Sequence, residues 1–340
     1  MKRAQMPAPL RVLVLLLVLA LPAIADESAF DASAFERKPF ELGGYVELKQ
    51  EGFDLNRDGT FYKLNNFGLP QRESLDRTTA TLQLVGMLRQ GIGSFDFRTN
   101  SSLQRDESSH AHDNSIYESA LSIRPDAGLT LEAGKRALKW GKGYAWNPIG
   151  FLERPKDPND PQLAREGFVM ADADLIASPG GALQTIAFTP VLLPVEKNVN
   201  GDFGARGHVN PAAKLYLLYR DTDIDFAWLG KGSRPARFGF DFSRNITTNF
   251  EVHGEWARIQ QFAKPKTDSA GHVTTETGNA TSYLLGLRYL TANDTTYIAE
   301  YYRNGTGYSE REASQFHQLV DVALAQFERT GSGALIQRAF

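Results

Sequence analysis

Cysteine is absent from the 340 residues, so no disulfide framework holds this chain. Beyond residue 25 no stretch of about 18 consecutive apolar residues occurs, which excludes a membrane-spanning helix there. A strong charge of either sign is also missing. Thirty-seven Lys and Arg against 40 Asp and Glu leave a formal net charge of −3, which gives no reason to expect nucleic acid as a partner. Methionine and tryptophan are scarce, at four each, but there are 21 Phe and 12 Tyr. A chain that is polar on average yet rich in aromatics suits an all-β protein. That protein is either a soluble fold or a barrel whose lipid-facing residues occupy only alternate positions.

The N-terminus is read separately. Lys2, Arg3 and Arg11 precede an apolar run over 12–21, and Ala23-Ile24-Ala25 has the small-x-small form of a peptidase site. Residues 1–25 are expected to be a secretory signal peptide, 26–40 a periplasmic lead-in, and 41–340 one continuous domain. Removing the leader would take the formal charge to about −6.

What the rest of the chain has is alternation. In "ELGGYVELK", Leu42, Gly44, Val46 and Leu48 share one face, and Tyr45, Glu47 and Lys49 the other. Phe238, Phe240 and Phe242 oppose Gly239, Asp241 and Ser243, while Ile224, Phe226 and Trp228 oppose Asp223, Asp225 and Ala227. Period two means strands with two chemically different faces. About thirteen such segments run from 41–50 to 295–303, with 333–340 as the expected fourteenth. The connections sort by parity. "RQGIG", "PDAG", "SPGG", "DTD", "NITT" and "AND" are short, and the intervening loops are longer. Those longer loops include 51–77, "DESSHAHDNS", 141–167 and "QFAKPKTDSAGHVTTETGNA". Tight turns at one end and long loops at the other describe a membrane barrel better than a soluble sandwich. Trp256, Tyr283, Tyr289 and Tyr297 stand near strand ends, where interfacial aromatics sit.

The expected fold is therefore all-β: a transmembrane antiparallel up-and-down β-barrel of about fourteen strands, or part of a larger one. One helix is expected in the last long loop, 304–332, where Phe316, Leu319, Val320, Ala323, Leu324 and Phe327 follow helical spacing.

The leader, the alternating strands, the parity-sorted loops and the terminal Phe340 resemble Gram-negative outer-membrane porins and related channels. The element "ALKWGKGYAWNP" is similar to a tryptophan–glycine and asparagine–proline signature at one strand end in porin-like and polysaccharide-export barrels, including the alginate-export type. The resemblance implies a bacterial outer-membrane location, membrane lipid as a partner, and a small polar solute or a polysaccharide as cargo. It does not fix the solute, the direction of transport or the oligomeric state.

Residues expected to face a lumen include Glu132, Arg136, Asp172, Asp174, Asp223, Asp225, Glu251, His253, Glu255, Arg288 and Glu300. Loop 141–167 follows the strand-end Trp140. It carries Tyr144 and Trp146, and prolines at 148, 155, 158 and 161 that stiffen its path. It either folds inward as a constriction or lies outside as a surface loop. If inward, Arg154, Lys156 and Arg165 are expected to pin it to lumen acids.

Three local patterns suggest other chemistry. Asp54, Asn56 and Asp58 with Gly59 match the first half of a calcium loop, but the twelfth position is Asn65 rather than Glu. An Asx-rich turn explains the same residues, so a structural calcium is an option and no other cofactor is expected. "HAHD" at 110–113 offers two imidazoles without a third ligand and reads as a polar loop. His253 between Glu251 and Glu255 could act as a general base in a lipid-modifying enzyme, but no Ser–His arrangement accompanies it locally. The leading expectation is a passive, non-enzymatic channel with a charged lumen narrowed by loops 141–167 and 304–332. The alternative is a non-conducting structural, adhesion or assembly barrel.

Overall fold

Period two becomes strand nearly everywhere it occurs. The computed structural model describes residues 38–338 apart from 108, 158–162 and 269. The leader, most of the lead-in, Pro158, Pro161 and Phe340 lie outside the described residues. In chain order the strands are β1 (Phe40–Asp54), β2 (Ser74–Gln90), β3 (Gly93–Asp106), β4 (His110–Asp126), β5 (Leu129–Arg136), β6 (Phe168–Ala177) and β7 (Leu183–Val195). They continue as β8 (His208–Tyr219), β9 (Thr222–Leu229), β10 (Arg237–Thr247), β11 (Phe250–Thr267), β12 (Val273–Leu290) and β13 (Thr296–Arg303). All thirteen form one sheet in sequential order, each antiparallel to the next: an up-and-down barrel wall.

The register lines up the faces predicted from alternation. Val46 opposes Leu82, Phe226 opposes Phe240, Phe240 opposes Trp256, and Trp256 opposes Tyr283. These residues form an apolar outer face that stays uncovered. Val46 is 79% exposed, Leu103 65% and Tyr301 63%, and Leu121, Leu192, Trp228 and Leu285 are exposed too. In water such a surface would cost about 25 cal/mol per Å², and soluble proteins rarely tolerate one this extensive. The opposite face carries the charges.

The sheet wraps around its own β5–β6 connection. That segment shares a cavity with Tyr45 and Glu47 of β1 and also donates backbone hydrogen bonds to Glu300 of β13. The two ends of the sheet meet at the long-loop rim through helices. α1 (Thr60–Asn66) lies in the β1–β2 loop, and α2 (Glu310–Thr330) follows β13. Phe61 packs on Phe316 at 6.1 Å and Phe67 on Phe327 at 5.4 Å, with Lys63 bonded to Asp321 at 2.8 Å. Leu64, Val320, Ala323 and Ile336 are buried between them. α2 matches the helix expected in 304–332. Ser309 and Glu312 form a capping box at its start, and Gly331 closes it in the left-handed region at φ 69°. β1 and β13 do not pair with each other among the described residues.

Three expectations need correction. The segment read as a fourteenth strand holds a 3-10 turn, Ile336–Arg338, because burying Ile336 against α2 draws the chain back. "HAHD" belongs to β4 and not to a loop, since β3 and β4 run on to a tight turn. Likewise most of 260–281 is strand, where β11 and β12 extend together as far as the Thr267–Val273 pair. These extensions have two polar faces, so they show no hydrophobic period. Cross-strand pairs such as Lys266–Glu276, at 2.5 Å, accompany their pairing.

Candidate channel lumen and its inward loop

The described parts of the β5–β6 connection, 137–157 and 163–167, fold inward. Ile149, Phe151 and Leu152 are almost wholly buried against Phe168 and Met170 of β6, Val191, Leu193 and Val195 of β7, Phe203, and Leu229 of β9. The inner face of β7 is therefore apolar as well as its outer one. "PVLLPV", at 190–195, breaks alternation for that reason, and this run was the sequence signal that something dry packs inside.

A loop buried away from other strands must still satisfy its amides. Three glutamates do this. Glu255 Oε1 accepts from the N–H of Lys142 at 2.7 Å and of Gly143 at 2.6 Å, and its Oε2 accepts from Ile149 at 3.2 Å. Glu300 accepts from Tyr144, and from Ala145 at 2.9 Å. Glu153, within the loop, accepts from Trp140. Gly141, at φ 97°, leaves no space for a side chain: a Cβ there would stand 2.6 Å from Glu255 Oε1. The "KWGKG" element is thus a backbone cradle for a carboxylate.

The basic residues act differently from expectation. Arg165 pairs with Glu153 at 2.6 Å, Arg154 with Asp202 and with Glu166 at 3.4 Å, and Lys156 donates to the carbonyls of Gly143 and Tyr144. Arg154, Lys156 and Arg165 therefore brace the loop against itself and its neighbouring loop, not against the strand acids. Lys142 crosses to the wall, 3.0 Å from Asp225 Oδ2, with Lys214 3.7 Å from the other oxygen. Burial alone would lower the Lys142 ammonium, but Asp225 and Asp241 outweigh it and hold its pKa above the usual value. Burial raises the Glu153 carboxyl despite Arg165.

His253 is buried, its Nε2 3.0 Å from Glu300 Oε1 and its ring 5.4 Å from that of Tyr144. An ionised Glu300 only accepts, so the proton of a neutral His253 sits on Nε2. Gly286, its cross-strand partner, makes the room: a Cβ there would fall 2.0 Å from Nε2. Glu251 takes Arg288 at 2.9 Å, the Tyr144 hydroxyl at 3.5 Å and the Ser243 hydroxyl at 3.2 Å. Ser243 faces His253 across the sheet but donates to Glu251, so the two do not form a nucleophile–base pair.

The remaining expected residues also face inward. Arg136 bridges Asp172 with two 2.6 Å bonds and Glu132 at 2.6 Å. Asp174 accepts from Thr189, and Asp223 from the Tyr216 hydroxyl at 2.6 Å. Trp146 stacks on Tyr302 at 5.5 Å. Two cavities lie on the β1–β5 side of the interior. A cavity of about 610 Å³ lies between the loop and Tyr45, Glu47, Gln83 and Arg98. A second, of about 590 Å³, is walled by Asp96, Arg98, Glu118, Glu132 and Arg136. Arg98 lines both.

The calcium option loses its geometry. Asn56 Oδ1 accepts the Asp58 N–H at 3.1 Å, and α1 begins at Thr60, where the second half of a binding loop would run. Asp54, Asn56 and Asp58 form a turn that leads into a helix. Among the described residues no three His, Asp or Glu side chains gather as a metal site.

No family model and no curated protein matches the chain. Among solved structures it is similar to Salmonella typhi OmpF in complex with daunomycin. The two are 9% identical over 78% of each chain, with a TM-score of 0.49. It is also similar to an engineered triple mutant of Rhodopseudomonas blastica porin, at 10% identity over 79% of this chain and 96% of that one, with a TM-score of 0.39. Likenesses this loose fix neither a family nor a solute, and the functional reading stands on the chain's own geometry.

Proposed function

We propose that this protein is a bacterial outer-membrane channel, delivered by the leader at 1–25, that passes small polar solutes or a polysaccharide by passive diffusion. The observation that carries the reading is the division of the interior. The inward loop is fixed to the β6–β13 wall by dry packing and carboxylate-to-amide bonds, while the β1–β5 wall keeps two cavities of about 610 and 590 Å³ that share Arg98. An uncovered apolar outer face supports lipid as the surrounding medium, and a charged inner face supports water within. Loop 141–167 narrows the passage, and 304–332 covers the rim through the α1–α2 contact. Hydrogen bonding of each strand to the next suits hydrocarbon, where unmet backbone groups are costly.

Planar-bilayer recording of the refolded full chain tests this. Discrete conductance steps are expected, larger when 141–167 is shortened. Absence of any pore in both proteins sinks the reading. The dry packing of Ile149, Phe151 and Leu152 favours one alternative, a plugged barrel serving adhesion or assembly. Conductance that appears only after the loop is shortened would support that alternative.

A further inference from the structure

Two arginines near the long-loop rim have no acidic partner among the described residues. Arg237 opens β10, and its Nε is buried without an acceptor. Arg234, in the β9–β10 loop, lies 3.9 Å from the centre of the Phe203 ring and donates to the carbonyls of Phe203 and Phe151. Burial, then repulsion from Arg237 and Arg154, draws the Arg234 guanidinium down to about 10. Arg154 has its own carboxylates, Asp202 and Glu166. Arg234 and Arg237 have none, and burying unanswered charge is costly unless something supplies the counter-charge.

Both arginines line a cavity of about 380 Å³ between the inward loop and strands β10–β13, and Asn147, Glu153 and Lys156 stand between it and the larger channel cavity by lining both. The Trp146–Tyr302 stack forms an apolar side wall, at an interplanar angle of 22°. Ser282 and Asn304 add polar edges. The one acid in the lining, Glu153, is already taken by Arg165 and the Trp140 amide. A guanidinium presents a planar fork that fits carboxylate or phosphate oxygens. The volume lies in the range of small-molecule sites.

We propose that this cavity binds the oxyanion of a small ring-bearing organic solute, a carboxylate or a phosphate held by Arg234 and Arg237 with its ring against Trp146 and Tyr302. The site deepens the channel reading by naming the charge of a solute that pauses there, and it rests on that reading only for its access route.

The test is calorimetric titration of the detergent-solubilised full chain with D-glucuronate, D-glucose 6-phosphate and neutral D-glucose. At least one of the two anions is expected to bind about tenfold tighter than glucose or better, and to weaken as salt rises. Arg234→Gln and Arg237→Gln should each lower anion affinity about tenfold and leave glucose unchanged, with Arg237→Lys in between. A preference for one anion identifies the oxyanion and supports the site. Three results overturn it: no binding of either anion by the wild type, glucose bound equally well, or folded glutamine variants that bind the anions as the wild type does. Anion binding without bilayer conductance would sink the channel and keep the site, and conductance without anion binding would do the reverse.

Discussion

The Oε1 atom of Glu255, on β11, lies 2.6 Å from the backbone nitrogen of Gly143, 112 residues earlier in the chain. A strand carboxylate thus takes the place of the strand or helix carbonyl that this amide lacks, and it does the same for Lys142 and Ile149. Glu255→Ala would strand these buried donors at about 1–3 kcal/mol each. The expected result is a lower thermal midpoint by circular dichroism and noisier single-channel current as the loop loosens. Glu255→Gln keeps acceptor oxygen and should lose less. An alanine variant as stable as the wild type would show that the dry packing alone holds the loop.

Lys142 and Asp225 form the side-chain counterpart of this latch, at 3.0 Å, with the Asp225 side chain only 1% exposed. Lys142→Met leaves that carboxylate beside Asp241 with the more distant Lys214. The double variant Lys142→Met with Asp225→Asn removes both charges. The single change should therefore destabilise more than the double, by about 1–3 kcal/mol on urea unfolding, because the cost lies in the orphaned charge. Equal losses would mean that Lys142 contributes through its stem alone.

Gly286 exists to admit His253, since a Cβ at that position would fall 2.0 Å from Nε2. Gly286→Ala should cost about 1–3 kcal/mol by overpacking. In a His253→Ala background the same change should cost almost nothing. Additive losses in that double-mutant cycle would refute steric coupling between the two.

The faces of this protein were readable from the chain because alternation is a local property. Val46 and Leu82, or Phe240 and Trp256, needed only a period of two to be placed outside. The helix at 310–330 was readable for the same reason at its own period. Three things were not. The polar extensions of β11 and β12 pair through Lys266 and Glu276 and have no apolar face to reveal them. The inward path of the loop depends on Glu255 and Glu300, far away in sequence, so no window on the loop contains it. The arginine pair is defined by having no acidic partner among the described residues, which spacing along a chain does not express. The apolar inner residues Val191, Leu193 and Val195 were a local trace of the loop's dry packing.

Glu312 gives α2 a pH dependence. Hydrogen bonds from Lys264 and Lys266, and then from the Ser309 amide, hold its carboxyl well below the ordinary range. A folded pKa below the unfolded one means stability that is full above about pH 4.3 and lost as pH falls toward the lower folded value. Limited proteolysis at 310–330 should therefore be slow at pH 7 and faster by pH 3, and Glu312→Gln should cleave quickly at both. A cleavage rate that does not change with pH would remove Glu312 as the clamp.

Val46 and Glu47 are neighbours in β1 on opposite faces, Val46 at 79% exposure on the apolar outside and Glu47 lining the larger cavity. If lipid covers the outside, an arginine at Val46 must sit in hydrocarbon or distort the bilayer, at about 2–4 kcal/mol in mid-strand. An arginine at Glu47 meets water and should cost little, while shifting ion selectivity toward anions. Folding into phospholipid vesicles, followed by the gel-mobility shift of folded barrels, compares the two directly. Val46→Arg should fold poorly and Glu47→Arg normally. The opposite order, or equal yields, would place water on the face here assigned to lipid and would overturn the membrane reading at its base.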